Sequence, residues 1–245
     1  MKYPPATAWK RLRDLLDKNV AEPHRSAYLA FHDKHAEQAC DMPASIKFHH
    51  AFPGGYAVHI YEVVFNALMI SNILRPTFTA EVSKAMSASD VVIASYVHDL
   101  DKLFWRYRRG GEPPTQPQLK LASAKGVPIS EYETKTTISI KIDAAMNGQP
   151  IPPDEELSWH DRIPNIPAID DSASVLFLCN EHGLTGLTRG ILHAITLHHG
   201  GWAPLPASGE KVAMSPLATV LHSADILSAN AQNGNIDPKP ETSNV

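Results

Sequence analysis

Cysteine is scarce in this chain. Two residues, Cys40 and Cys179, in a length of 245 cannot build a disulfide framework, and a reducing cytoplasm is the simpler expectation. Positive charge is short as well. Lysine and arginine number 22 against 26 aspartates and glutamates, a formal net charge of −4, which argues against a general nucleic-acid binder held by bulk charge. A local basic patch stays open. No run approaches the roughly 20 apolar residues of a membrane span, so no membrane is expected. The opening Met1-Lys2-Tyr3-Pro4-Pro5 leads into a charged stretch without the apolar core of a secretory signal. Internal repeats are missing too. At 43% hydrophobic and 20% charged the remainder reads as a globular chain with a sizeable core. Histidine stands apart: there are 13, several in clusters, and surplus imidazole directs attention to metal.

Taken in order, residues from about Thr7 to Val20 place Trp9, Leu12, Leu15 and Leu16 on one helical stripe. Pro23 interrupts, and a second helix runs through Tyr28, Phe31 and His35; His24, His32 and His35 are read as helix-surface residues. Pro53-Gly54-Gly55 marks a loop that delivers the chain into a long apolar helix from about Tyr56 to Leu74, with His59 in its first turn. Arg75-Pro76 ends it. The next helix starts near Ser89-Asp90 as N-cap and runs through Val91, Val92, Ile93, Ala94, Tyr96 and Val97 into His98-Asp99. Apolar nearly all round, it belongs at the centre of the domain.

Residues 112–170 change character, with many prolines and weak helical periodicity. Thr137-Ile138-Ser139-Ile140-Lys141-Ile142 alternates as a strand does, pairing with a short one near Lys120–Ser123 or Val127–Ser130. The segment reads as an irregular or β-hairpin insertion over the site, and His160-Asp161 within it as polar loop residues. Helical pattern resumes at Asp171 and again at Leu187, closing in His198-His199-Gly200. A last helix from Pro216 to about Ala229 sets His222 and Asp225 three residues apart, on one face. The tail from Gln232 is expected to be disordered. The whole reads as one domain, 1–231, followed by that tail.

Three distant segments therefore each offer imidazole or carboxylate: His59, the pair His98-Asp99, and Asp225. Alone, His59 would be a core histidine satisfied by a hydrogen bond. A buried His-Asp pair, however, needs a partner or a metal to offset its desolvation, and nitrogen with oxygen donors suits a divalent ion. Beyond the pair, Leu103 to Arg109 alternates aromatics with arginines, which suits phosphate oxygens and base faces; cations favouring a helix C-terminus explain the same pattern. His193 and His198, five apart, do not share a face of a regular helix.

This ordered set resembles the HD-domain metal-dependent phosphohydrolase superfamily. Phe48-His49-His50-Ala51-Phe52-Pro53-Gly54-Gly55-Tyr56-Ala57-Val58-His59 is similar to the loop wording of its HD-type 3′-end nuclease branch, as are Leu197-His198-His199-Gly200 and Leu221-His222-Ser223-Ala224-Asp225. The likeness covers roughly residues 46–109 and 172–230. It implies an all-α helical bundle in which His59, His98, Asp99 and Asp225 ligate a metal. Lys102 matches the lysine of the family's His-Asp-x-x-Lys pattern, near the phosphate, although Asp101 stands where glycine is common. His193 and His198 fall where two-metal members place further ligands, leaving two metals open.

The ligand set leads to an expected function: hydrolysis of a phosphoester or phosphoanhydride bond of a nucleotide by metal-activated water. A (deoxy)nucleoside mono- or triphosphate is favoured, since no separate nucleic-acid-binding module is visible. Asp99 is a candidate general base, and Lys102 and Arg106, with His193 and His198, are candidates for holding the phosphate. Ligands without cysteine accept Mn, Fe, Co, Ni, Zn or Mg. The alternatives are a 3′-end exonuclease or cyclic-nucleotide phosphodiesterase taking a single-stranded end, and a nucleotide sensor without turnover. Self-association of the chain stays open.

Overall fold

The computed structural model describes residues 4–46, 48–130, 133–157, 160–163, 171–200 and 213–231. The N-terminal part supplies α1 (Pro5–Asn19), α2 (His24–Lys34) and α3 (Ala36–Asp41). Proline at the start of α1 sits where its missing N–H is not needed, and Ala8, Trp9, Leu12 and Leu16 bury the expected stripe.

The axis of the molecule is α4 (Gly55–Leu74), on which α1, α6 (Ala88–Val97) and α11 (Pro216–Ala231) pack. Two glycines shape its entry. Gly54 turns at φ +76°, and a Cβ on Gly55 would run into the carbonyl of His50, so the loop closes onto the helix only without side chains there. By length and composition Gly55–Thr77 is apolar enough to cross a bilayer, at mean hydropathy 1.5. The expectation that no run approaches a span fails for this helix. A core helix meets the same criterion, and 56% of the most apolar 18-residue stretch of this one is buried inside the protein.

The buried helix α6 begins on a reciprocal cap. Ser87 Oγ accepts from the Asp90 amide at 3.1 Å, and the Asp90 carboxylate accepts from the Ser87 amide at 3.0 Å. Ser87, not Ser89, is therefore the N-cap. Every residue from Val91 to Val97 is buried, as its all-round apolar character requires. Around α4 and α6, side chains from α1, α2, α9 (Asp171–Glu181), α10 (Arg189–Leu197) and α11 complete one main core. Short α5 (Ala80–Ala85) lies between α4 and α6 in the chain.

The 112–170 segment departs from expectation. Residues 137–142 lie in a helix, α8 (Lys135–Met146), packed on α7 (Gln116–Ala124), and neither Lys120–Ser123 nor Val127–Ser130 is a strand. A cap decides it. Thr134 Oγ1 accepts from the Thr137 amide at 3.1 Å, and Thr137 Oγ1 accepts from the Thr134 amide at 2.8 Å. Ile138 and Ile142, which alternate in sequence, are also four apart, and in the helix they share a face with Ala122 and Val127 in a second small core. Lys141 is buried between Glu133, at 2.6 Å, and Asp154, at 2.5 Å.

Two strands do occur, elsewhere. β1 (Tyr107–Arg109) pairs antiparallel with β2 (His160–Arg162), Tyr107 opposite Arg162. His160 is thus no loop residue: it is buried, with Nε2 3.4 Å from an Asp41 carboxylate oxygen. The ribbon ties the far end of the inserted segment back to the bundle. His32 is likewise no surface residue. It is buried, its ring stacked 3.9 Å from Trp9. The described architecture is mostly helical, all-α with one short ribbon. The tail from Gln232 lies outside the described residues.

Candidate metal centre

His59 arrives from the first turn of α4, His98 and Asp99 from the end of α6, and Asp225 from the middle of α11. Their donor atoms converge. His59 Nε2 lies 3.2 Å from Asp99 Oδ2 and 3.3 Å from Asp225 Oδ1; His98 Nε2 lies 3.2 and 3.8 Å from the same two oxygens. Both imidazoles are fully buried, Asp99 nearly so, and the Asp225 side chain keeps 15% exposure.

The outer nitrogens fix which inner atoms carry lone pairs. His98 Nδ1 donates to the Ser95 carbonyl at 2.8 Å. That leaves Nε2 of the neutral ring bare, and it has no hydrogen-bond partner among the described residues. His59 Nδ1 is 3.0 Å from Ser228 Oγ, whose hydroxyl donates to Glu62 at 3.0 Å. Its one proton spent, Ser228 can only accept from His59, so His59 Nε2 is bare as well. Two imidazole lone pairs and two carboxylates therefore face one point in a buried space, which leaves a cation wanting. A proton can serve: burial opposes charge on His98, yet Asp99 and Asp225 raise its pKa to about 10. The four groups could also hold a metal ion, which would engage all four donors at once.

Lys102 adds a fixed positive charge. Its ammonium is 2.6 Å from Asp99 Oδ2 and buried. Burial alone would raise the Asp99 pKa, but Lys102 and then His98 hold it well below the ordinary carboxylate range. Arg106, expected at a phosphate, is instead bound to Asp101 and, at 2.7 Å, to Asp171. The aspartate at position 101 thus has an evident task.

Two further groups border the centre. Asp171, His198 and His199 form one: His199 Nε2 is 3.4 Å from Asp171, and His198 Nδ1 donates to the Ile195 carbonyl at 2.5 Å, baring a buried Nε2. The His198 ring lies 5.1 Å from that of His98, and burial first, then His98 and His199, lower its pKa to about 4. His49, His50 and His59 form the other. His50 occupies left-handed backbone at φ +52°, uncommon for a residue with a side chain. Its Nε2 donates to Glu62 at 3.1 Å, so its Nδ1 accepts from His49 Nδ1 at 3.2 Å.

The structure thus brings together His59, His98, Asp99 and Asp225, with Lys102 against them and His198 beside them. His193 joins none of these groups among the described residues; its Nδ1 is 3.3 Å from Ser215 Oγ. Sequence reasoning assigned no role to Glu62, Ser228, Asp171 or His199. The His198-His199 doublet was a usable signal for the last. Asp171 gave none, being distant in the chain from every partner it meets. Comparison of the chain with protein-family models, curated proteins and solved structures returns no match in any of the three.

Proposed function

We propose that this chain is a metal-dependent phosphohydrolase of the HD type, cleaving a phosphoester or phosphoanhydride bond of a nucleotide. One observation carries the reading: four donors from three helices converge, and the Ser95 and Ser228 bonds turn both imidazole lone pairs inward. His59, His98, Asp99 and Asp225 would hold the ion. A divalent ion bound there supplies Lewis acidity toward a phosphate oxygen and acidifies water to a pKa of about 7.

The chain's own groups do the rest. Lys102 brings a buried positive charge to the edge of the centre, where phosphoryl charge develops. The Arg106 bonds to Asp101 and Asp171 hold the turn after Asp99 against the start of α9, fixing Lys102 in place. His198 presents a bare buried nitrogen, uncharged near neutrality, that can accept a proton or join a second ion with Asp171 and His199. The Glu62–Ser228 bond keeps His59 in its ligand tautomer.

Turnover of a panel of ribo- and deoxynucleotides by protein stripped and reloaded with Mn, Co, Ni, Mg or Zn tests this, with Asp99→Ala alongside. Metal-dependent release of nucleoside or phosphate by the wild type alone supports it. Activity that survives Asp99→Ala contradicts it. The second reading, a 3′-end exonuclease, is favoured by the likeness of the Phe48–His59 loop wording to that branch. Strong salt dependence of oligonucleotide cleavage would single it out.

A further inference from the structure

A cleft of about 480 Å³ is lined among others by Phe48, Arg106, Tyr107, Arg108, Lys135 and Arg162. Two stretches of its wall lie next in the chain to residues at the centre. Phe48 immediately precedes His49, whose ring is 4.8 Å from His59. Tyr107 follows Arg106, and its phenol stands in the field of Lys102 and Asp99, although burial is the larger cause of its raised pKa. The opposite wall comes from the inserted segment through Lys135 and Arg162.

The cations of this cleft are not equal. Arg106 is committed to Asp101 and Asp171, and Lys135 lies 3.3 Å from Glu112. Arg108 and Arg162 are exposed, and neither has an ion-pair partner among the described side chains. The register sets Arg162 opposite Tyr107 on one face of the ribbon and Arg108 opposite Asp161 on the other, and both arginines line the cleft. Phe48 is 82% exposed, an unusual position for an aromatic ring. Its loop is nonetheless pinned, the Phe48 amide donating to Ser45 Oγ at 3.0 Å. An exposed ring on a held backbone, sharing a cleft with two exposed guanidiniums, matches a planar base and an anionic oxygen cluster.

We propose that this cleft binds the part of the substrate beyond the scissile bond, Phe48 stacking on a base while Arg108 and Arg162 hold a non-scissile phosphate. The 112–170 insertion is then a specificity element, since Arg162 belongs to it. That the bound phosphate is non-scissile rests on the hydrolase reading above; the base and phosphate contacts do not. The ligand chemistry is a nucleotide with at least two phosphates, and both a nucleoside triphosphate and a single-stranded 3′ end carry it.

Calorimetric titration with an α,β-methylene deoxynucleoside triphosphate, and separately with a short single-stranded oligonucleotide, tests the cleft. Phe48→Ala should weaken the tighter ligand roughly 5- to 150-fold, the range of base–aromatic stacking. The double variant Arg108→Ala/Arg162→Ala should weaken it at least about tenfold, with the loss shrinking at high salt. Whichever ligand binds more tightly to the wild type identifies the source. Metal-dependent turnover of bis(p-nitrophenyl) phosphate by the wild type runs in parallel as a readout of the hydrolase reading alone. Unchanged binding in both variants, or no binding of either ligand to the wild type, overturns the cleft while that turnover leaves the hydrolase reading standing. Weakened binding with no metal-dependent turnover of that diester or of any nucleotide in the panel keeps the cleft and removes the hydrolase.

Discussion

Ser228 accepts a hydrogen bond from Nδ1 of His59 at 3.0 Å, across 169 residues of chain. The serine hydroxyl is spent on Glu62, so this bond sets the histidine tautomer as well as its orientation. Ser228→Ala should weaken divalent-ion affinity about 10- to 100-fold, as loss of an outer partner of a ligating histidine does. Competition with a chelating dye measures it. Unaltered affinity would mean that the relay is only packing.

Lys102 and Asp99 form a buried pair at 2.6 Å. Lys102→Met leaves the carboxylate without its cation, at a cost of about 3–5 kcal/mol in metal-free protein. A divalent ion replaces that charge, so added metal should restore much of the lost thermal stability. Turnover should still fall about 100-fold if the ammonium also steadies the phosphoryl group. Melting curves with and without metal, beside a rate assay, separate the two effects.

His193 and His198 provide an internal contrast. The first is 3.3 Å from Ser215 and belongs to none of the donor groups among the described residues, whereas the second stands 5.1 Å from the His98 ring. His193→Ala should leave both metal content and turnover near wild type. His198→Ala should reduce turnover with the His59–His98–Asp99–Asp225 ion retained. The reverse order of effects would relocate the second group of ligands.

His32 makes stability acid-sensitive. Its Nε2 donates to the Trp9 carbonyl at 3.0 Å, leaving Nδ1 to accept from the Tyr96 hydroxyl at 3.2 Å. Burial lowers its pKa from 6.5 to about 4. With the folded value depressed, the unfolded chain takes up the proton first, so stability is fully present above pH 6.5 and declines toward pH 4. The loss is on the order of 3 kcal/mol. Denaturation of wild type and His32→Gln over that range should show a difference that changes only between those limits.

Lys141 closes the small core of the inserted segment against Glu133 and Asp154. Lys141→Ala leaves Glu133 buried without its partner and should open this segment locally. Hydrogen exchange should accelerate in α7 and α8 and stay slow in α4 and α6. Uniform acceleration would show that the two cores unfold as one.

The sequence made the bundle legible where apolar spacing was unambiguous. α6 is apolar all round and is buried, and α1 buries the stripe that Trp9, Leu12 and Leu16 mark. The donors of the centre were legible for a related reason: each lies on such a helix, so its placement followed from the helix. Residues 137–142 misled because isoleucines at alternate positions fit a strand and, four apart, a helix face; the Thr134–Thr137 cap decides between them. His32 misled because its burial depends on Trp9 stacking from a different helix. Ser228 and Glu62 left no trace, since a serine and a glutamate on helices carry no pattern until tertiary packing joins them.

The most direct test is metal content. Wild type, His98→Ala and Asp225→Ala would be purified identically, stripped, reloaded with Mn or Co and assayed by plasma mass spectrometry, with circular dichroism confirming the fold. About one tightly held ion or more per wild-type chain is expected, with loss of that ion from both folded variants. A wild type that retains no ion, or variants that retain as much as it does, would contradict the metal assignment.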